Sequence, residues 1–280
     1  MALVYLDQNA LIALGHCRPG SPEAEVERRI KAREITLVLS TTHLLDSAGG
    51  RSGSNSALLA DFIDFLRPFW VLERTHLHRL EIQSFLRGFS FDEVCTRALC
   101  KSLSELVADM AGLDEGGALV IPTARLVMRI RRSAPQQARA YAAFAAAFRV
   151  NRNKFSVGGI PPEWLKQSRI GYVRQVGGIR PGSSEDERLQ LAPTDALRSI
   201  SCASEAMVES WRQGGAMTPN RIRDRHHLVV ALPYADFVLS FDKQVRQTIS
   251  AVRSRVPFRT AIELGSAAEL LRELNSKRIA

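Results

Sequence analysis

With 280 residues, 45% hydrophobic and 24% charged, the chain has an ordinary globular make-up and enough length to bury one large core or two small ones. That composition excludes an intrinsically disordered chain, and no apolar run approaches the roughly 20 residues of a membrane helix. The formal charge of +9 points to a polyanionic partner, because clustered cations gain affinity by releasing counterions from phosphates.

The basic residues are 32 Arg against 6 Lys. Arginine suits bidentate phosphate contacts, although a GC-rich genome would give the same ratio. Residues 1–14 are apolar but carry Asp7 and no basic leader, so they do not read as a signal peptide. Cys17, Cys95, Cys100 and Cys202 show neither CxxC nor zinc-site spacing, which fits reduced thiols in a cytoplasm.

In chain order, Leu3-Val4-Tyr5-Leu6 reads as a short buried strand ended by Asp7. A helix over 8–15 follows, then a charged helix over 23–32. Residues 35–39 form a second strand candidate, and Ser40-Thr41-Thr42 supplies capping chemistry for a helix through His43 and Asp46. A Gly/Ser-rich loop over 49–56, a helix over 58–66 and a strand over 69–72 come next. From about 75 to 215 the pattern turns helical, with helices expected over 92–111, 118–131, 135–150 and 194–212 and long irregular connections over 151–193. The alternating pattern then returns. Thr218-Pro219 starts a helix to about Leu232, residues 237–241 form a strand, 244–252 a helix and 258–264 a last strand. Ser266 and Glu269 form a capping box for the closing helix. Strands alternating with helices imply a central parallel sheet covered on both faces, built from 1–74 and 216–280 and interrupted by a helical insertion over 75–215.

Within that insertion no acidic residue occurs from Gly116 to Pro162, while Arg125, Arg129, Arg131, Arg132, Arg139, Arg149, Arg152 and Lys154 all fall inside. Such a gap predicts a basic surface for nucleic acid. The competing reading is a helical face paired with the acids between Asp109 and Glu115.

Chemistry gathers at strand ends. Asp7 closes the first strand, Asp242 follows the strand over 237–241, and Asp46 lies about a helical turn beyond the second strand. In open α/β sheets, ligands bind outside the carboxyl ends of the strands. Asp224 sits on the helix feeding the Asp242 strand and shares a face with His227. Each acid alone could be a turn or capping residue. Four at one sheet edge would repel unless a hard divalent cation neutralised them, and such an ion can activate water for phosphodiester hydrolysis.

These segments resemble a known family. Leu3 to Asn9 is similar to the opening strand and D-x-N of PIN-domain nucleases, and residues 220–243, with D-x-x-H at Asp224 and S-x-D at Asp242, resemble their late helix and strand. The resemblance covers residues 1–73 and 218–275, about half the chain. It implies a three-layer α/β/α sandwich, Mg2+ or Mn2+ at the acids, and RNA, or DNA, as substrate. By position Asp7, Asp224 and Asp242 match metal-binding acids, with Asn9 and Ser240 supporting them. The family's second acid is usually a Glu; here Asp46, in Ser40-x-x-His43-x-x-Asp46, takes its place, with Glu81 in reserve. The expectation is an endoribonuclease in which Asp7, Asp46, Asp224 and Asp242 hold metal and position the water. Asn9, Ser40 and Ser240 would orient the carboxylates, and His43, His227 or Lys243 would touch the phosphate. A toxin or defence role follows by analogy alone, with a homodimer or an antitoxin-like protein as partner. The rivals are a non-catalytic RNA-binding or assembly module and an aspartyl-nucleophile phosphatase.

Overall fold

The computed structural model describes residues 1–49, 53–111, 122–132, 134–155, 160–214 and 217–279. The first half of the sheet comprises β1 (Ala2–Leu6), β2 (Ile35–Ser40), β3 (Phe69–Val71) and β4 (Leu99–Cys100), and the chain's end adds β5 (Phe237–Leu239) and β6 (Ile262–Leu264). Their order across the sheet is β4-β3-β2-β1-β5-β6. Every residue of β2 is buried, and so are Val4, Tyr5 and Leu6 of β1. Strands buried on both faces need helical cover on both, which is why they read as unbroken apolar runs.

The expectation of a wholly parallel sheet is corrected at one edge. β4 runs antiparallel to β3, whereas the other pairings are parallel. Between them the chain turns back through α5 (Arg74–Arg87) and α6 (Phe91–Ala98) instead of crossing over the sheet. β4 lies in the stretch 75–215, which also gives Leu77, Val94, Cys202 and Ala206 to the main core.

Before β3 come α1 (Gln8–Gly15), α2 (Pro22–Lys31), α3 (Thr41–Gly49) and α4 (Gly53–Leu66). α4 begins inside the expected 49–56 loop, of which 50–52 lie outside the described residues. After β4 come α7 (Leu103–Ala111), α8 (Thr123–Arg132), α9 (Ala134–Phe155), α10 (Pro162–Gly177) and α11 (Ser184–Gln190). A 3-10 turn over Thr194–Leu197 leads into α12 (Arg198–Gln213), followed by α13 (Pro219–Ala231), α14 (Lys243–Arg253) and α15 (Ala267–Ile279). Among the described residues no helix is long and apolar enough to cross a membrane.

Two expectations fail for local reasons. The helix over 92–111 is broken by β4, and Ser102 restarts it by accepting the Glu105 N–H at 3.1 Å. The irregular stretch over 151–193 is largely helical. Its Pro, Ser and Gly punctuate helix ends: Pro162 opens α10, Gly178 closes it in the left-handed conformation at φ 67, and the Ser183 hydroxyl caps α11.

Residues at the sheet centre fix the site. Leu6 pairs with Leu239 in the β1–β5 register, so Asp7 and Ser240 leave the sheet side by side. β1 leads to β2 and β3 on one side, while β5 and β6 build out on the other. The β1–β5 boundary is therefore the topological switch point, where a crevice opens beyond the strand ends.

Candidate active site at the C-terminal edge of the sheet

Asp7 caps α1. Its Oδ1 accepts the Ala10 N–H at 2.7 Å and its Oδ2 accepts the Ser240 hydroxyl at 2.5 Å. Ser240 Oγ in turn accepts the Asp242 N–H at 3.2 Å, so one buried hydroxyl ties the ends of both central strands together. Asp242 caps α14 through Oδ1, which accepts the Gln244 and Val245 N–H groups at 2.7 and 3.2 Å, and the residue is exposed.

Asp46, on α3, is held from α13. Its Oδ1 lies 2.8 Å from Arg223 Nε, and its Oδ2 lies 2.8 Å from His227 Nε2. Arg223 and His227 sit four residues apart and so share a helical face. Behind them His227 Nδ1 meets the Tyr5 hydroxyl at 2.5 Å, and that hydroxyl meets Ser40 Oγ at 2.7 Å. Ser40, Tyr5 and His227 thus form one hydrogen-bonded series that ends on the Asp46 carboxylate.

Asp224, one residue after Arg223, makes no hydrogen bond among the described residues. Burial pushes its carboxyl up to about 6; the charges of Asp46, Asp242 and Asp7 add to the rise, and His227 opposes it. Asp7 is also raised, by burial first and by Asp242, against the hydrogen bonds from Ser240 and Ala10. Burial would raise Asp46 too, but the His227 hydrogen bond and the charges of His227 and Arg223 outweigh it and hold that carboxyl below its usual value. The charges of Asp7, Asp46 and Asp242 thus all act on Asp224, and among the described residues Asp46 is the one of the four with an ion pair to an arginine.

Several expected roles change on placement. Asn9 is exposed and makes no hydrogen bond to a carboxylate among the described residues; Gln8 instead joins α1 to α3 through Ser47 Oγ at 3.2 Å. Ser40 serves Tyr5 rather than an acid. His43 is fully buried: its Nε2 donates to the Leu6 carbonyl at 2.7 Å and its Nδ1 accepts the Ser40 N–H at 3.0 Å, which removes it from phosphate contact. Burial and the His227 charge lower its pKa to about 3. Lys243 is exposed beside Asp242. Glu81 lies apart from the cluster, accepting the Tyr234 hydroxyl at 2.6 Å and the Ser199 N–H at 2.8 Å.

Sequence reasoning missed Tyr5, Gln8 and Arg223. A tyrosine inside a buried strand needs a partner for its hydroxyl, and that was the available signal for Tyr5. Arg223 carried a weaker one, its four-residue spacing from His227.

The basic run divides. Arg125, Arg129 and Arg132 are exposed on α8, which packs against α3, the helix of Asp46. Arg131 is half-buried, Arg149 is exposed on α9, and the side chains of Arg152 and Lys154 lie outside the described residues.

The all-oxygen donor set has the chemistry of a hard divalent cation site. Its side chains do not enclose one as they stand: among the described residues no three His, Cys, Asp or Glu groups converge tightly enough to hold a metal ion. Asp46 is turned to Arg223 and His227, and Asp7 to Ser240 and Ala10, which leaves Asp224 and one oxygen of Asp242 unpartnered. No family model, curated protein or solved structure matches the chain.

Proposed function

We propose that the chain is a PIN-like, Mg2+- or Mn2+-dependent nuclease that hydrolyses phosphodiester bonds, with RNA as its substrate. The observation that supports this reading is Asp224, a partly buried carboxylate without a hydrogen bond among the described residues, whose pKa the charges of Asp46, Asp242 and Asp7 help to raise. Uncompensated acids in such a crevice cost stability, and a divalent cation is the simplest group that offsets them. Asp224 and Asp242 would offer it free oxygens, Asp7 is tied to Asp242 through Ser240, and Asp46 would join on releasing Arg223.

A bound ion would supply an activated water and offset charge on the phosphorus. The chain's own residues do the rest. Ser240 fixes the spacing of Asp7 and Asp242. The Ser40–Tyr5–His227 series sets the direction of Asp46. Arg223, once free of Asp46, and exposed Lys243 would neutralise a phosphate, and the exposed arginines of α8, which packs against α3, would hold the backbone of a strand.

A second reading, a binding module without turnover, is favoured by the Arg223–Asp46 pair, which closes one of the four acids. Incubation of total RNA with the protein and Mn2+ separates them. Cleavage that EDTA abolishes is the expected outcome; intact RNA that nevertheless co-elutes with the protein supports the module.

A further inference from the structure

A second site lies among the helices of the middle segment. α5, α9, α10 and α12 surround a cavity of about 520 Å³, within the size range of small-molecule pockets. Its walls are aromatic. The Phe148 and Trp211 rings are 5.8 Å apart at 30°, and Trp164 is 5.7 Å from Trp211 at 55°. Among the described residues no acidic one lines it, but two guanidiniums do, Arg74 and Arg169.

Among the described residues neither arginine pairs with a carboxylate. Arg74 donates through Nη1 to His226 Nε2 at 3.1 Å, and its buried Nε has no partner. Arg169 makes no hydrogen bond or ion pair among the described residues; Glu81 is the acid whose charge acts on it. His78, 1% exposed, also lines the cavity. Its Nδ1 meets the Tyr172 hydroxyl at 2.6 Å, while its buried Nε2 has no partner. Arginines without a carboxylate partner among the described residues, beside a buried imidazole, call for an anion and a hydrogen-bonding group, and an aromatic wall offers an apolar surface to a flat ring.

We propose that this cavity binds a nucleotide, its base against Trp164, Trp211 and Phe148, its phosphate on Arg74 and Arg169, and His78 Nε2 toward a polar edge. Stacking plus guanidinium contact is how proteins hold single bases without reading a duplex. The nucleotide is either free or one residue of a strand, and both present the same chemistry to the cavity. None of the four acids lines it, and binding there requires neither metal nor turnover.

The test is calorimetric titration of the full chain, in EDTA, with AMP, GMP, CMP and UMP and with a single-stranded RNA 10-mer. At least one mononucleotide or the 10-mer should bind, and Arg169→Ala should weaken it at least about tenfold, the scale of one charge-assisted contact. Ala203→Phe, which fills the cavity from α12 without touching its charge, should do the same. One variant removes charge and the other adds bulk, so either carries the test if its companion unfolds. A mononucleotide bound as tightly as the 10-mer identifies a free nucleotide as ligand. A 10-mer bound at least about tenfold tighter, and lost in the variants, identifies a strand. Absence of binding by all five ligands overturns the proposal. So does 10-mer binding that both variants leave unchanged, which would place the strand on another surface such as α8.

Discussion

Asp7→Asn is expected to cut Mn2+-dependent RNA cleavage at least about 100-fold while leaving the fold in place. Asparagine is as good a helix cap as aspartate, and its Oδ1 can still accept the Ala10 N–H. The change is felt at Oδ2. There the Ser240 hydroxyl loses an ionised acceptor, and the crevice loses one of the four charges that would attract a cation. Stability should move by less than about 1 kcal/mol, within the range of a preserved cap. Gel-based cleavage rates and thermal melts on the same preparation check both halves. Undiminished cleavage by a folded Asp7→Asn protein would move the chemistry away from this edge.

His43→Leu is expected to be the most destabilising single change near the site, by about 3 kcal/mol, because it orphans two buried backbone groups. The Leu6 carbonyl and the Ser40 N–H are bonded to opposite sides of the ring, so His43 bolts the end of β1 to the turn between β2 and α3. For a chain of this size that loss is a fall in Tm on the order of 10 °C. The deficit has a pH signature. Folded His43 stays neutral down to about 3, whereas the unfolded side chain takes up a proton near its ordinary 6.5. Wild type therefore loses stability as pH falls below about 6.5, through the unfolded state's extra proton, and the leucine variant does not lose that part. The gap between the two melting curves should be widest above pH 7 and narrower at pH 5. A drop below about 1 kcal/mol at pH 7.5 would show that the ring is dispensable.

Much of the sheet was legible because its strands are buried on both faces and stopped by polar residues. Asp7 ends β1, and Thr218-Pro219 starts the helix feeding β5, as their chemistry dictates. The middle of the chain was harder to read. Pro162, Gly178 and Ser183 are helix-end residues, and ends crowded together mimic a loop when the short helices between them have weak periodicity. β4 was hidden because two residues, Leu99 and Cys100, carry no alternation, and its pairing depends on a β3 edge that tertiary structure supplies. At the site, Asp7 and Asp242 could be read from strand ends and Asp46 and Asp224 from the neighbouring helices, but their states could not. Those depend on partners distant in sequence, such as Tyr5 with His227 and Asp46 with Arg223. The structure also gives Ser40 and His43 to the scaffold, where their spacing had suggested the chemistry.

The central claim is that the four acids form a divalent-cation site, and titration calorimetry with Mn2+ tests it most directly, on wild type and Asp224→Asn at pH 7.5 and 5. A carboxylate binds metal only when deprotonated, and Asp224 titrates near 6. Mn2+ should therefore bind wild type at pH 7.5, bind more weakly at pH 5, and bind Asp224→Asn at least about tenfold more weakly at pH 7.5. Equal Mn2+ affinity in the two proteins, or no heat from wild type at millimolar Mn2+, would contradict the account.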